Sequence, residues 1–486
     1  MDDPARWGLA EAAARIRDGT ISSAEYTQEL LRRCRSWQGL NAFTSLGPET
    51  ALRQARQADR LRARQPGPLH GIPLAVKDNI DVAGQATTGG TPALRGQVVR
   101  RDAEVWTSLR AAGAFSLGKT NMHELAFGIT GNNQAFGPAL NPWAADRTAG
   151  GSSGGTASAV AACLVPAGLG TDTGGSIRIP AAHCGVVGLR PSRGRYGQHG
   201  VLLLSRTRDT VGLIARSVQD VALLDSVITS PLGDRTGAGV PPASWSGVRL
   251  GVPRAPFWRD LDSGTEAVAR RRLDDLRRAG AVLVRTDLPA PVTEQTSQAG
   301  LAVALYEALR ELPRYLAQTT PAPTLEELID QVAGPDVRAL LDDAKQVTES
   351  DYRTACHSTV PRISSALAGH LRALGLDALV YPTCPLPAQP VGHDETVLLN
   401  GRRVPAFATC IRNTDLASVI GWPALSLPAG LTDDGLPVGL ELCGAPGTDR
   451  RLLSLARGGE QLWERPPKPG PPPDSPSGTC HACTMP

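Results

Sequence analysis

Residues 150–185 constrain this chain more than any other stretch. They read Gly-Gly-Ser-Ser-Gly-Gly, then a run of small and apolar residues, then Gly-Thr-Asp-Thr-Gly-Gly-Ser-Ile-Arg. Two serines, Ser152 and Ser176, stand in separate glycine clusters 24 residues apart. The small-residue run over 156–164 predicts a tightly packed, buried helix, and 165–170 predicts a short buried strand. Glycine lets the backbone take angles closed to other residues and lets another group come close. Thr173, Gly174, Gly175 and Ser176 can therefore turn successive N–H groups toward one point, a concavity suited to the negative charge of a tetrahedral oxyanion. Two glycine-rich turns without chemistry have the same composition. The distinction comes from a lysine upstream.

That lysine ends Gly71-Ile-Pro-Leu-Ala-Val-Lys77. Residues 74–76 predict an apolar strand, and Lys77 borders the loop after it, where α/β proteins commonly place functional groups. The lysines are Lys77, Lys119, Lys345 and Lys468, and arginine fills every other position of this charge. Arginine cannot give up its proton in a protein, whereas a buried lysine can. The alternative is a salt bridge from Lys77 to Asp78 or Asp81.

Three other motifs lack their context. Gly113 to Thr120 matches the P-loop spacing around Lys119, but its interior reads as a strand. Gly151-Ser-Ser-Gly-Gly155 matches the nucleophile elbow, which needs a preceding strand, and residues 141–148 read as a turn-rich loop. His183 follows Ser176 by seven residues and has no matched acid, so it reads as structural.

With 486 residues the chain can bury a large core. A net charge of +3 gives no basic surface for nucleic acid. No apolar run approaches the length of a membrane span. The start, Met-Asp-Asp-Pro, has no apolar leader segment. A cytoplasmic enzyme with neither nucleic-acid nor membrane partner is the expectation, its nine cysteines reduced. Cys480 and Cys483 form a lone CxxC in the tail, without the second pair a metal site needs.

Helices are predicted over 9–16, 22–34, 51–64, 104–112, 177–184, 217–228 and 265–279. Residues 293–375 read as mainly helical, with a break at Pro321 and Pro323. Strands are predicted over 41–46, 114–118, 186–189, 248–252, 281–284, 377–381 and 424–427. The alternation predicts one α/β domain over 1–465, with a Pro-rich disordered tail over 466–486.

With Lys77, Ser152 and Ser176 in place, the chain resembles the amidase signature family from Leu9 to about Trp463. Gly71 to Ile80, Gly118-Lys-Thr-Asn-Met122, Gly150 to Gly155, Gly170 to Arg190, Gly421 to Gly430 and Gly435-Leu-Pro-Val-Gly439 carry the resemblance. It implies a single α/β/α domain, a central mixed sheet flanked by helices, with its catalytic core over 71–230. It implies a Ser–cis-Ser–Lys triad: Ser176 as nucleophile, Ser152 as bridging serine after a cis peptide, Lys77 as general base. Thr173, Gly174, Gly175 and Ser176 would hold the oxyanion, and Ser153 and Arg178 would support Lys77 and the loop. No metal or organic cofactor is implied.

Within the family, Gly185-Val-Val-Gly-Leu-Arg-Pro, Arg208-Asp-Thr210 and Gly447-Thr-Asp-Arg-Arg-Leu452 look most like indoleacetamide and mandelamide hydrolases. This implies a small primary amide with an arylacetyl-like acyl group, its pocket in the helical region around 293–375 and extending toward 420, in a monomer or homodimer. Alternatives are an aliphatic or guanidino-acyl amide, or the A subunit of a tRNA-dependent amidotransferase, which Arg208-Asp-Thr and the tail fit poorly. A third is a binding protein without activity, against which the intact Lys77, Ser152 and Ser176 argue.

Overall fold

The computed structural model describes residues 3–62, 67–229, 239–318, 321–463 and 469–470. Nearly all of the tail expected over 466–486, including Cys480 and Cys483, lies outside the described residues.

Five strands, Pro73–Lys77, Phe115–Thr120, Ala167–Asp172, Val187–Arg190 and Thr210–Ala215, are buried at every residue. Burial of successive side chains requires cover on both faces, because they point to opposite sides of a sheet. These strands form the heart of one eleven-stranded mixed sheet. From one edge its order is Phe43–Leu46, Phe115–Thr120, Pro73–Lys77, Ala167–Asp172, Thr210–Ala215, Val187–Arg190, Ala424–Leu431, Pro437–Cys443, Ala378–Pro382, Arg249–Pro253 and Val282–Thr286. Pro73–Lys77 runs parallel to both its neighbours, and Ala167–Asp172 is antiparallel to Thr210–Ala215. The strand carrying Lys77 thus lies beside the strand that runs into Thr173 to Ser176.

The buried helix is Gly154–Ala161, three residues shorter than expected at its far end and starting two residues earlier. All eight of its residues are buried. A Cβ at Gly168 would fall 2.6 Å from Thr156 Cγ2, so glycine in the strand is what lets this helix lie so close. Arg178–Cys184 packs on Ala424–Leu431 and Pro437–Cys443. Ser22 caps Ser23–Ser36 with a reciprocal capping box through Glu25. The helical region opens with Ala290–Leu316, which runs through Pro313, and closes with Val360–Leu374.

One expectation needs correction. Residues 141–148 are not an open loop: Ala144–Thr148 is a strand paired with Leu140–Asn141. The Asn141 side chain holds this hairpin, accepting from Trp143 N–H and donating to Thr148 C=O. The hairpin is separate from the central sheet, so it does not supply the strand of an elbow. Lys119 lies inside Phe115–Thr120, fully buried, and donates to Ala86 C=O and Thr87 Oγ1. A strand interior cannot wrap a phosphate, which settles the P-loop match against nucleotide binding.

Candidate active site

Lys77 ends its strand with no exposed surface. Its Nζ donates to Ser152 Oγ at 2.7 Å and to Thr171 Oγ1 at 2.8 Å. Neither Asp78 nor Asp81 takes it. Asp78 pairs with Lys119 at 3.1 Å, and Asp81 accepts from the Tyr315 hydroxyl. Burial lowers the lysine to about 7, and the more distant Asp209 and Asp172 only partly oppose this. A large fraction is therefore a neutral amine near neutrality, with a lone pair able to accept a proton.

Ser152 is buried in the turn between the hairpin and Gly154–Ala161, and the Gly151–Ser152 peptide is cis. Its carbonyl accepts from His123 N–H at 3.2 Å. Ser153 joins the two glycine clusters. Its N–H donates to Ser176 C=O at 3.1 Å, and its hydroxyl donates to Thr171 C=O at 3.2 Å. Ser153 makes no hydrogen bond to Lys77. The supporting contact expected of it there comes from Thr171, which sequence reasoning passed over although it lies inside the glycine-rich motif. Asn79 Nδ2 also donates to Thr171 Oγ1, at 3.0 Å.

Ser176 lines a cavity of about 210 Å³ together with Thr173 and Gly174. Among the described residues its hydroxyl has no hydrogen-bond partner. Ile177 is the N-cap of Arg178–Cys184, so Ser176 stands one residue before the cap. The loop is fixed by Asp172, whose carboxylate accepts from Gly175 N–H at 2.9 Å and Ile177 N–H at 3.2 Å. The Gly175 N–H, one of the four donors expected for the oxyanion, is therefore engaged by Asp172. Gly175 has φ +132°, and a Cβ on it would lie 2.1 Å from Thr414 Oγ1, so no other residue fits.

Asp172 is also the centre of a buried charge cluster. Arg178 reaches both its oxygens at 3.0 Å, Arg190 reaches Oδ1 at 2.9 Å, and Ser418 Oγ donates to the same oxygen. Burial alone would raise this carboxyl, but the two guanidiniums outweigh it and hold it well below the usual carboxylate range. Arg178 continues to Glu441 Oε1 at 2.6 Å. Burial raises the Glu441 carboxyl to about 7 against the pull of Arg178. Arg178 thus reaches the loop through Asp172 and does not touch Lys77. His183 is buried and hydrogen-bonds neither serine, its Nε2 lying 3.3 Å from Leu386 C=O, and burial lowers it to about 4.

The cavity beside Ser176 is walled mainly by apolar groups, among them Phe127, Ile129, Leu204, Leu301, Leu305 and Phe407. Leu301 and Leu305 come from Ala290–Leu316, within the helical region expected to shape the pocket, and Phe407 from Ala406–Ile411. Among the described residues no cluster of three or more His, Cys, Asp or Glu could hold a metal ion, and no helix is long and apolar enough to cross a membrane.

A buried amine thus lies on one serine, and a second serine faces a cavity beside backbone N–H groups. The amidase family model matches residues 25–453, and the chain belongs to that family of amide-hydrolysing enzymes. Indoleacetamide hydrolase of Agrobacterium vitis is 39% identical over 450 residues, covering 92% of this chain and 95% of the relative. Mandelamide hydrolase of Pseudomonas putida is 40% identical over 483 residues, covering 95% and 92%. The native peptide amidase of Stenotrophomonas maltophilia superposes with a TM-score of 0.84 at 33% identity, covering 96% of this chain and 99% of that one.

Proposed function

We propose that this amidase hydrolyses a small primary carboxamide with an arylacetyl-like acyl group, giving the carboxylate and ammonia. The observation that carries the mechanism is the 2.7 Å contact between a lysine lowered to about 7 and Ser152. Neutral Lys77 takes a proton from Ser152 as Ser152 takes one from Ser176. Ser176 Oγ then attacks the carboxamide carbon, and the carbonyl oxygen becomes an oxyanion held by the N–H groups of Thr173, Gly174 and Ser176. As the C–N bond breaks, the proton returns through Ser152 to the nitrogen and ammonia leaves. Water enters and gives a proton to Lys77 along the same path; its oxygen bonds the acyl carbon, the bond to Ser176 Oγ breaks, and the proton returns to Oγ as the acid leaves.

The substrate class rests on the cavity and on the named relatives. At about 210 Å³ the cavity is below the ~300–1,000 Å³ of sites for drug-sized ligands, so it suits one ring system better than a peptide. We read residues up to about 465 as one catalytic domain, because a single sheet takes strands from Phe43–Leu46 through Pro437–Cys443. The test is ammonia release by the purified chain alone from arylacetamides, aliphatic amides and guanidino-acyl amides. Arylacetamides should be turned over fastest, and Ser176→Ala should release none while keeping its fold. Absence of turnover on the whole panel would overturn this reading.

A further inference from the structure

Lys77 has too few acceptors for an ammonium, which presents three N–H groups. Among the described residues Nζ has two partners, Ser152 Oγ at 2.7 Å and Thr171 Oγ1 at 2.8 Å. Thr171 Oγ1 is moreover shared, because Asn79 Nδ2 donates to it at 3.0 Å. The other contact of the Asn79 amide fixes which of its ends faces Thr171. Nδ2 lies 3.2 Å from Leu202 C=O, which can only accept, so the second N–H of the same –NH2 is the one on Thr171. The backbone C=O of Asn79 accepts from Leu202 N–H at 2.9 Å and holds the residue against the same partner. Asn79 is 1% exposed, and its Oδ1 is buried without a partner among the described residues. An orphaned buried carbonyl is unfavourable. The asparagine therefore serves this position through its –NH2.

A hydroxyl oxygen has two lone pairs. With one of them on Asn79, Thr171 keeps a single lone pair for Lys77, and each N–H drawn to that oxygen weakens the other. The neutral amine has one donor fewer to place and no charge to compensate. The charged groups around Lys77 do not act through this oxygen. Asp172, on one neighbouring strand, is taken by Arg178 and Arg190, and Lys119, on the other, pairs with Asp78. Asp81 accepts from Tyr315, and Asp209 accepts from Leu204 and Ser205 N–H. Asp172 and Asp209 favour the ammonium, but neither is bonded to Nζ. Gly154–Ala161 carries no charged residue.

We propose that Asn79 is a positioning residue: its –NH2 occupies Thr171 and thereby keeps Lys77 in the neutral, proton-accepting form. The inference rests on the amidase reading above, in which Lys77 is the base, and adds the group that sets its protonation.

The experiment is the pH profile of kcat/KM, on the fastest amide of the panel above, for wild type, Asn79→Ala and Asn79→Leu. The leucine is close to asparagine in size and keeps the packing. Loss of the amide should move the acid limb up by about half to one pH unit, which reads as about 3- to 10-fold less activity at pH 6 and a deficit that shrinks toward pH 9. In a Thr171→Val background, with no hydroxyl to occupy, the same substitutions should not move the limb. An equal loss at every pH, or the same upward shift in the Thr171→Val background, overturns the proposal. NMR titration of lysine labelled with carbon-13 at Cε reads Lys77 without substrate, its signal assigned by its absence in Lys77→Arg. A midpoint there that Asn79→Ala and Asn79→Leu leave in place also overturns the proposal. An upward shift, beside a wild type that hydrolyses no amide, would sustain the role of Asn79 and overturn the proposed function.

Discussion

Lys77 and Lys119 sit on adjacent parallel strands, both without exposed surface, yet only Lys119 has a carboxylate, Asp78 at 3.1 Å. Lys77 is given hydroxyls instead. An ion pair would compensate a buried ammonium, whereas hydroxyls compensate it less and accommodate the neutral amine equally well. In the proposed mechanism that difference separates a structural cation on one strand from a base on its neighbour.

Activity should follow that base. Below about 7 Lys77 is protonated and cannot accept from Ser152, so kcat/KM should fall about tenfold per pH unit on the acid side and level off above. Lys77→Arg should be inactive at every pH, because a guanidinium stays charged. A pH profile of the wild type, flat from 5 to 9, would remove Lys77 from the mechanism.

The same lysine should weaken the fold at low pH. Its folded value, about 7, lies below its ordinary 10.5, so between these the unfolded chain binds the extra proton. Stability therefore rises with pH across that window, and the full cost of the buried charge is felt below 7. Lys77→Met should be more stable than wild type, by a larger margin at pH 6 than at pH 9.5. Urea unfolding at the two values measures the margin, and an equal margin at both would contradict the assignment.

Asp172→Asn should be among the most damaging substitutions. It leaves Arg178 and Arg190 buried with Glu441 alone and weakens the grip on the Gly175 and Ile177 N–H groups. Losing one partner of a buried charge cluster typically costs about 3–5 kcal/mol. The midpoint of urea unfolding should drop accordingly, with turnover lost even where the protein remains folded.

Gly175→Ala should lose activity through shape alone. Its φ of +132° and the 2.1 Å approach to Thr414 Oγ1 leave no room for a methyl. Thr414→Gly added to it should relieve the contact without restoring the backbone angle, so the double variant should recover at most part of the rate. Steady-state kinetics on both variants decide this.

Much of this was legible because period and punctuation agree with burial. The apolar run before Lys77 and the small residues after Ser152 could hardly be anything but a buried strand and a buried helix. The hairpin at 140–148 was missed because its pairing depends on one asparagine side chain rather than on alternation. The Thr396–Leu399 and Arg402–Pro405 hairpin was missed although Asn400-Gly401, both with positive φ, is the usual two-residue turn signal. In the site, types and spacing pointed to the serines and Lys77. They could not show that Asp172 takes the Gly175 N–H, since that depends on where a loop folds back. Nor could they bring Phe407 into one cavity with Ser176, because 231 positions separate them and only the packed fold closes the gap.

The burial of Lys77 and Lys119 also sets how the folded protein meets amine-directed reagents. Of the described lysines only Lys345, on a solvent-facing turn, offers its amine at the surface. Among the described lysines, coupling the native enzyme to an activated-ester resin would therefore proceed through Lys345. In urea that has aged to cyanate, the unfolded chain would instead expose Lys77 to carbamylation, and a base converted to a urea could not be recovered by refolding.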